Sequence, residues 1–484
     1  MDIKIKPSKL SGNVVIPPSK SFAHRALICA ALSEGKSIVR NIELSDDIRA
    51  TLEALEELGA KSKVGKTSKV ENMSIEIEGI RIMNNDVHDI NNNIHNMNNN
   101  MHIINCNESG STLRFMIPIA AALGYRCRFE MSGNLGKRPL DVYYDIFDKN
   151  GIKYKKGENY LEIDGKLNAG EYDIPGNISS QFITGMLFAL SMLKEDSLLK
   201  ITDKIESKSY IDITLQCLKD FGIGIEHNDY REFRIKGNQK YNCKIENNRL
   251  IENNRTTENN GLIENSILTE NYKVKEDNAY KVDDYTVEGD FSQGAFFLCA
   301  DAIGNDVNIK GLRRDSIQGD KATLEILERM GCERIYNESN DIKMKVNSLN
   351  STVIDATDCP DIIPVLSVCA AFANGKTEII NAKRLRIKEC DRLSAINEEL
   401  SKLGASIEEK EDSLIIHGNG NKKLKGGCEV WSHKDHRICM MLSIASTVCE
   451  EEIIIKDAEC ISKSYPRFFE DFEKIGGCIE VIEK

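Results

Sequence analysis

The residues best suited to chemistry are cations and hydroxyls clustered where helices begin. In Pro17, Pro18, Ser19, Lys20, Ser21, Phe22, Ala23, His24, Arg25, the prolines end a preceding strand and Ser19 can cap the helix that follows. Lys20 with His24, and Ser21 with Arg25, are then i,i+4 pairs on adjoining faces of the first turns. A helix start offers unpaired N–H groups and partial positive charge, so Lys, Ser and Arg placed there make a site for phosphate or carboxylate. Glu108, Ser109, Gly110, Ser111, Thr112, Leu113, Arg114 repeats the idea, with Gly110 letting backbone approach a ligand and two hydroxyls ahead of an Arg. Ser179, Ser180 and Gln181 open an apolar helix and suit hydrogen bonds to a polar ligand.

Charge is denser toward the other end of the chain. Arg384, Arg386, Lys388, Glu389, Asp391 and Arg392 run up to a predicted helix over 393–403. Asp435, His436, Arg437 opens another helix, and Lys463, Ser464, Tyr465, Pro466, Arg467 precedes the last. Solvated basic faces often read this way. Recurrence at equivalent points of repeated units, in an acidic chain, favours convergence on one anionic ligand.

Those units are visible in the elements that carry the clusters. Six amphipathic segments close on a glycine, at 59, 151, 222, 331, 404 and 476, each the signature of a left-handed helix cap. Successive gaps are 92, 71, 109, 73 and 72 residues. Both long gaps contain Asn-rich sequence, at 84–102 and about 244–280; without those 19 and 37 residues they become 73 and 72. Six equal units remain. The Asn-rich runs are read as surface excursions, because they hold too little apolar surface to offset the entropy of ordering. His88, His95 and His102 recur every seven residues in the first run, a spacing that gathers no metal ligands without a helix.

Within a unit, strands and helices alternate. The first is predicted to run from an extended 2–16 into a helix at 19–34, a strand at 37–40, a helix at 45–58 and a strand at 74–82. The expected class is α/β (α+β), each sheet paired against helices, with the units grouped three and three.

Composition narrows the function. At 484 residues and 41% hydrophobic, the chain exceeds what one core accommodates. A net charge of −12 opposes general binding to nucleic acid or anionic membranes, so any anion site must be a local concentration of Lys and Arg. The 15 cysteines form no C-x-x-C pair and read as reduced cytoplasmic thiols. Residues 1–10 lack an apolar core for export, and runs such as 362–373 are too short to span a bilayer.

The motifs, taken in order, resemble those of the 5-enolpyruvylshikimate-3-phosphate synthases (3-phosphoshikimate 1-carboxyvinyltransferases). They are PPSKSFAHRAL from Pro17, ESGSTLRF from Glu108, GKRPL from Gly136, SSQF from Ser179, VEGDFSQGAFFL from Val287, CPDIIP from Cys359, RIKECDRL from Arg386, DHR from Asp435 and KSYPRFF from Lys463. The resemblance covers the chain apart from the Asn-rich runs. It implies a two-domain inside-out α/β barrel, the enolpyruvyl transferase fold, with six βαβαββ repeats and helices inside. One domain would take 1–19 plus 288–484 and the other 20–287, joined by two crossovers and closing on ligands in the cleft.

The implied reaction moves the enolpyruvyl group of phosphoenolpyruvate to the 5-hydroxyl of shikimate 3-phosphate through a tetrahedral adduct that expels phosphate. Lys20, Ser21, Arg25, Ser179, Ser180, Gln181, Tyr210, Asp361 and Lys388 would surround shikimate 3-phosphate. Lys20, Gly110, Arg138, Gln181, Arg392, Arg437 and Lys463 would hold phosphoenolpyruvate. Asp361 and Glu389 would be the acid/base pair, with Lys20 also catalytic. No metal or organic cofactor is implied, and a cytoplasmic monomer is expected. Glu108 and Leu385 stand where such enzymes often carry Asn. Gly110 leaves room for the inhibitor glyphosate, so sensitivity to it is expected. The UDP-N-acetylglucosamine enolpyruvyl transferases resemble the chain less: they carry a reactive Cys or Asp ahead of Arg-Pro, where Ser132–Pro139 reads SGNLGKRP. A catalytically silent phosphoanion binder would not need both carboxylates.

Overall fold

A computed structural model describes residues 1–66, 73–80, 101–242, 283–338 and 341–482. The unit that begins at His102–Asn105 shows the common plan. This strand leads into helix Gly110–Leu123, strand Cys127–Glu130, helix Asp141–Asn150, and a hairpin of Lys153–Lys156 and Tyr160–Asp164. His102–Asn105 and Cys127–Glu130 are parallel neighbours, as a strand–helix–strand crossover requires, and Tyr160–Asp164 joins antiparallel. Leu161 and Ile163 alternate inward from that strand, and Val142, Tyr143, Ile146 and Phe147 form one buried stripe on the second helix. The first helix is apolar on all sides and is buried nearly all round.

Six sheets of four strands repeat this order. All six helix-closing glycines, 59, 151, 222, 331, 404 and 476, have positive φ, between 66° and 105°, the conformation that only glycine adopts cheaply. Two apolar cores result. One runs from Phe22 to Val287, and the other joins Ile3–Ile16 to Phe291–Ile475. Helices lie inside and sheets outside, three sheets to each core. Among the described strands no pairing links one sheet to the next, so the expected barrel is three separate sheets around buried helices and not a closed hydrogen-bonded ring. Gly185 sets how closely two of those helices meet, because a Cβ there would collide with the Arg114 carbonyl.

The first unit departs from its expected contiguous order. Strand Ser11–Val15 pairs in parallel with Asp306–Lys310, whereas helix Lys20–Leu32 belongs to the sheet where Asp283–Thr286 pairs with Lys36–Ile42. Asp2–Lys6 likewise completes the last unit, between Ile453–Lys456 and Cys478–Ile482. The chain therefore passes twice between the two bodies. Its two passages touch: Ser19 N donates to Glu288 O at 2.7 Å, and Asp290 N to Pro17 O at 2.9 Å. His102, expected in the first Asn-rich run, instead begins a strand that pairs with Cys127. Residues 84–100 of that run, with His88 and His95, and all of 244–280 lie outside the described residues. The described cysteines are free thiols. Among the described residues no helix is long and apolar enough to cross a membrane.

Candidate active site

The buried helices of both bodies begin at the cleft between them. Ser19, Ser109 and Ser179 cap three on one side by accepting from backbone N–H groups, and Asp290 and Asp435 do the same opposite. One cavity is lined by Lys20, Ser21, Arg25, Gly110, Arg138, Ser179, Ser180, Gln181 and Tyr210 from the first body. Asp361, Lys388, Glu389, Arg392 and Arg437 line it from the second. Lys463 is not on its wall but adjoins it, with Nζ 3.9 Å from Glu389 Oε1.

Arg392 organises the second wall. Only 1% exposed, it donates through Nη1 to Asp361 Oδ1, through Nη2 to Glu389 Oε2 and through Nε to Asp435 Oδ2, each at 2.8 Å. Asp361 also meets Lys388 Nζ and Arg437 Nη2, both at 3.3 Å, and accepts from Tyr210 OH of the opposite body at 2.9 Å. Burial drives the Asp361 carboxyl pKa upward, but Arg437, Lys388 and Arg392 outweigh it and hold the group well below the usual carboxylate range. The same contest depresses Glu389, where Arg392, Arg138 and Lys463 prevail over burial. Burial lowers Lys388 despite Asp361.

The first wall is held by neighbours of its own. Lys20 Nζ pairs with buried Asp47 at 2.8 Å, and its backbone N–H donates to Asp290 at 2.9 Å. Arg25 donates to Thr214 Oγ1, to Ser21 O and to Tyr210 O, and burial lowers its pKa to about 10. Gln181 accepts from Arg114 Nη1 at 2.7 Å and donates to Ser111 Oγ at 3.0 Å, which fixes its amide orientation. A Cβ on Gly110 would lie 2.9 Å from Arg138 Nη1, so that glycine lets the guanidinium reach the helix start. Arg138 Nη2 faces Glu389 Oε1 across the cleft at 3.5 Å.

A family model for EPSP synthase (3-phosphoshikimate 1-carboxyvinyltransferase) matches residues 4–256 and 260–472. The chain belongs to the EPSP synthase family. A 3-phosphoshikimate 1-carboxyvinyltransferase of Clostridioides difficile (strain 630) is 54% identical over 484 residues, covering 99% of this chain and 98% of that one. One from Clostridium beijerinckii is 51% identical over 481 residues, covering 99% and 98%. The EPSP synthase structure from Acinetobacter baumannii superposes with a TM-score of 0.74 at 22% identity, covering 100% of both chains. The enolpyruvyl transferase NikO from Streptomyces tendae gives 0.70 at 14%, covering 99% and 98%; both structures bear on the fold alone.

The cavity of this EPSP synthase family member also takes in Asp47, Ser207 and Asp290, which the sequence does not single out, and Arg114, Arg384 and His436, which belong to its charged clusters. Position 385 does not face the cleft. Leu385 is buried in the core and Arg384 lines the cavity, its Nε 3.1 Å from Glu206 Oε2 and its Nη1 donating to Ser207 Oγ at 2.8 Å. Lys383–Ile387 is a 3₁₀ turn, in which residues three apart share a face, so 384 and 387 turn to the cavity together. Ser207 has a left-handed backbone, φ 57°, a signal no residue type there announces. His436 is buried beside the cavity with neither ring nitrogen hydrogen-bonded, and burial holds it neutral.

Proposed function

We infer that the cleft performs the family reaction with a division of labour between its walls. The enzyme transfers the 1-carboxyvinyl group of phosphoenolpyruvate to the 5-hydroxyl of shikimate 3-phosphate, a step of aromatic amino acid biosynthesis. Ser21, Arg25, Ser179, Ser180, Gln181, Tyr210 and Lys388 hold the acceptor, and Gly110, Arg138, Arg392, Arg437 and Lys463 hold the donor. Lys20 lies between them. One observation carries this reading: Arg392 bridges Asp361 and Glu389 inside a single cavity walled by both bodies.

As the acceptor oxygen attacks C2 it sheds a proton, and C3 gains one to become a methyl group; the adduct then gives up a proton from that methyl as the C2–O bond to phosphate breaks, which restores the vinyl double bond and releases phosphate. Asp361 and Glu389 serve these transfers, both held ionised by the cations around them. Anionic ligands share the cations that now neutralise the carboxylates, so ligand entry raises carboxyl proton affinity in the group that must donate. Preorganised guanidinium and ammonium groups stabilise the charge that develops on donor and adduct. The bodies 1–19 plus 288–484 and 20–287 act as domains that close on both substrates in a cytoplasmic monomer. Phosphate release assayed with phosphoenolpyruvate and either shikimate 3-phosphate or UDP-N-acetylglucosamine tests the reading. Turnover is expected with the first acceptor only; release with the second alone would refute it.

A further inference from the structure

The cavity's cations are matched by carboxylates, and one of these stands apart from the acid/base pair. Lys463, from the second body, has Nζ 3.3 Å from Glu108 Oε2 of the first. Glu108 is held where it is from two sides. It precedes Ser109, the cap of helix Gly110–Leu123, and its carboxylate lies over Gly133, where a Cβ would collide with it. Gly133 also has φ 56°, so backbone and contact both reserve that position for glycine.

We propose that Glu108 is a built-in counter-ion of the donor's phosphate subsite, a specificity-determining carboxylate that occupies Lys463 in the empty cleft and yields it when phosphoenolpyruvate or inorganic phosphate enters. The proposal rests on the reading that Lys463 holds the donor. Without Glu108 the largely buried Lys463 ammonium would rely on Glu389, 3.9 Å away, and on the field of buried Asp47, which already pairs with Lys20. The cost falls on anion affinity. A phosphate dianion at Lys463 meets a negative charge on the far side of the same ammonium, which weakens binding about threefold to tenfold after solvent screening. Product phosphate leaves more readily for the same reason.

Glu108→Gln keeps the side chain's size and its ability to accept from Lys463 while removing the charge. Expected is a fall of about fivefold in KM for phosphoenolpyruvate and in the inhibition constant of inorganic phosphate, with KM for shikimate 3-phosphate unchanged and the effect shrinking as salt rises. A misfolded variant does not bind more tightly, so the direction separates this role from a structural one. An unchanged or raised KM for phosphoenolpyruvate in Glu108→Gln overturns the proposal. Lys463→Met is the companion. If it weakens phosphoenolpyruvate binding while Glu108→Gln changes nothing, only the counter-ion role fails; if it leaves that binding intact, the donor-site reading fails and the proposal with it.

Discussion

Gly110→Ala adds one methyl group at the first residue of helix Gly110–Leu123. Its Cβ would lie 2.9 Å from Arg138 Nη1, 3.3 Å from Arg114 Nη1 and 3.5 Å from Gln181 Oε1, where ordinary contact begins at 3.4 Å. Arg138 must therefore retreat by 3.4 − 2.9 = 0.5 Å. A guanidinium displaced that far keeps part of a charge-assisted hydrogen bond and forfeits about 1 kcal/mol of it, roughly fivefold in affinity. The helix itself gains up to about 1 kcal/mol, because Ala loses less backbone entropy than Gly. The variant should therefore fold at least as well as its parent and bind the donor worse. Steady-state kinetics should show KM for phosphoenolpyruvate up about fivefold, KM for shikimate 3-phosphate within about twofold, and weaker inhibition by glyphosate. An unchanged KM for phosphoenolpyruvate together with unchanged inhibition would refute the placement of Arg138 in the donor subsite.

Three further outcomes follow from the same contacts. Arg392→Met leaves Asp361, Glu389 and fully buried Asp435 without their shared cation, and should lower stability by about 3–5 kcal/mol in urea denaturation. Burial, with Asp361 next, raises the Asp320 pKa to about 7, so the folded state binds this proton more tightly than the unfolded chain. Stability should then fall as pH rises from about 4 to 7, and Asp320→Asn should raise Tm at pH 8 by more than it does at pH 5. Gly404→Ala, at φ 96°, should cost about 1 kcal/mol or more with KM values unchanged, because it strains a helix end remote from the cleft.

What could be read from residues alone was whatever is local. A glycine after an amphipathic helix fixes its own left-handed cap, so the repeat of six units was legible at positions 59, 151, 222, 331, 404 and 476. Ser19, Ser109 and Ser179 announced helix starts for the same reason, and the helix starts carry much of the site. Long-range pairing was not legible. Nothing in Ser11–Val15 says that it joins Asp306–Lys310, almost three hundred residues on, instead of the sheet of the helix it precedes. Asp47 looked like an ordinary acid in a helix's first turn, and only tertiary packing sets it against Lys20. Arg384 stood out as one cation of a run, but that it faces the cavity while Leu385 meets the core depends on the phase of a 3₁₀ turn.

The function proposed for the cleft requires Asp361 and Glu389 to move protons among its cations. Its most direct test is turnover of Asp361→Asn and Glu389→Gln, with shikimate 3-phosphate binding followed by calorimetry. Each substitution should cut kcat by at least about a hundredfold while the acceptor still binds. Undiminished kcat in both variants would contradict it.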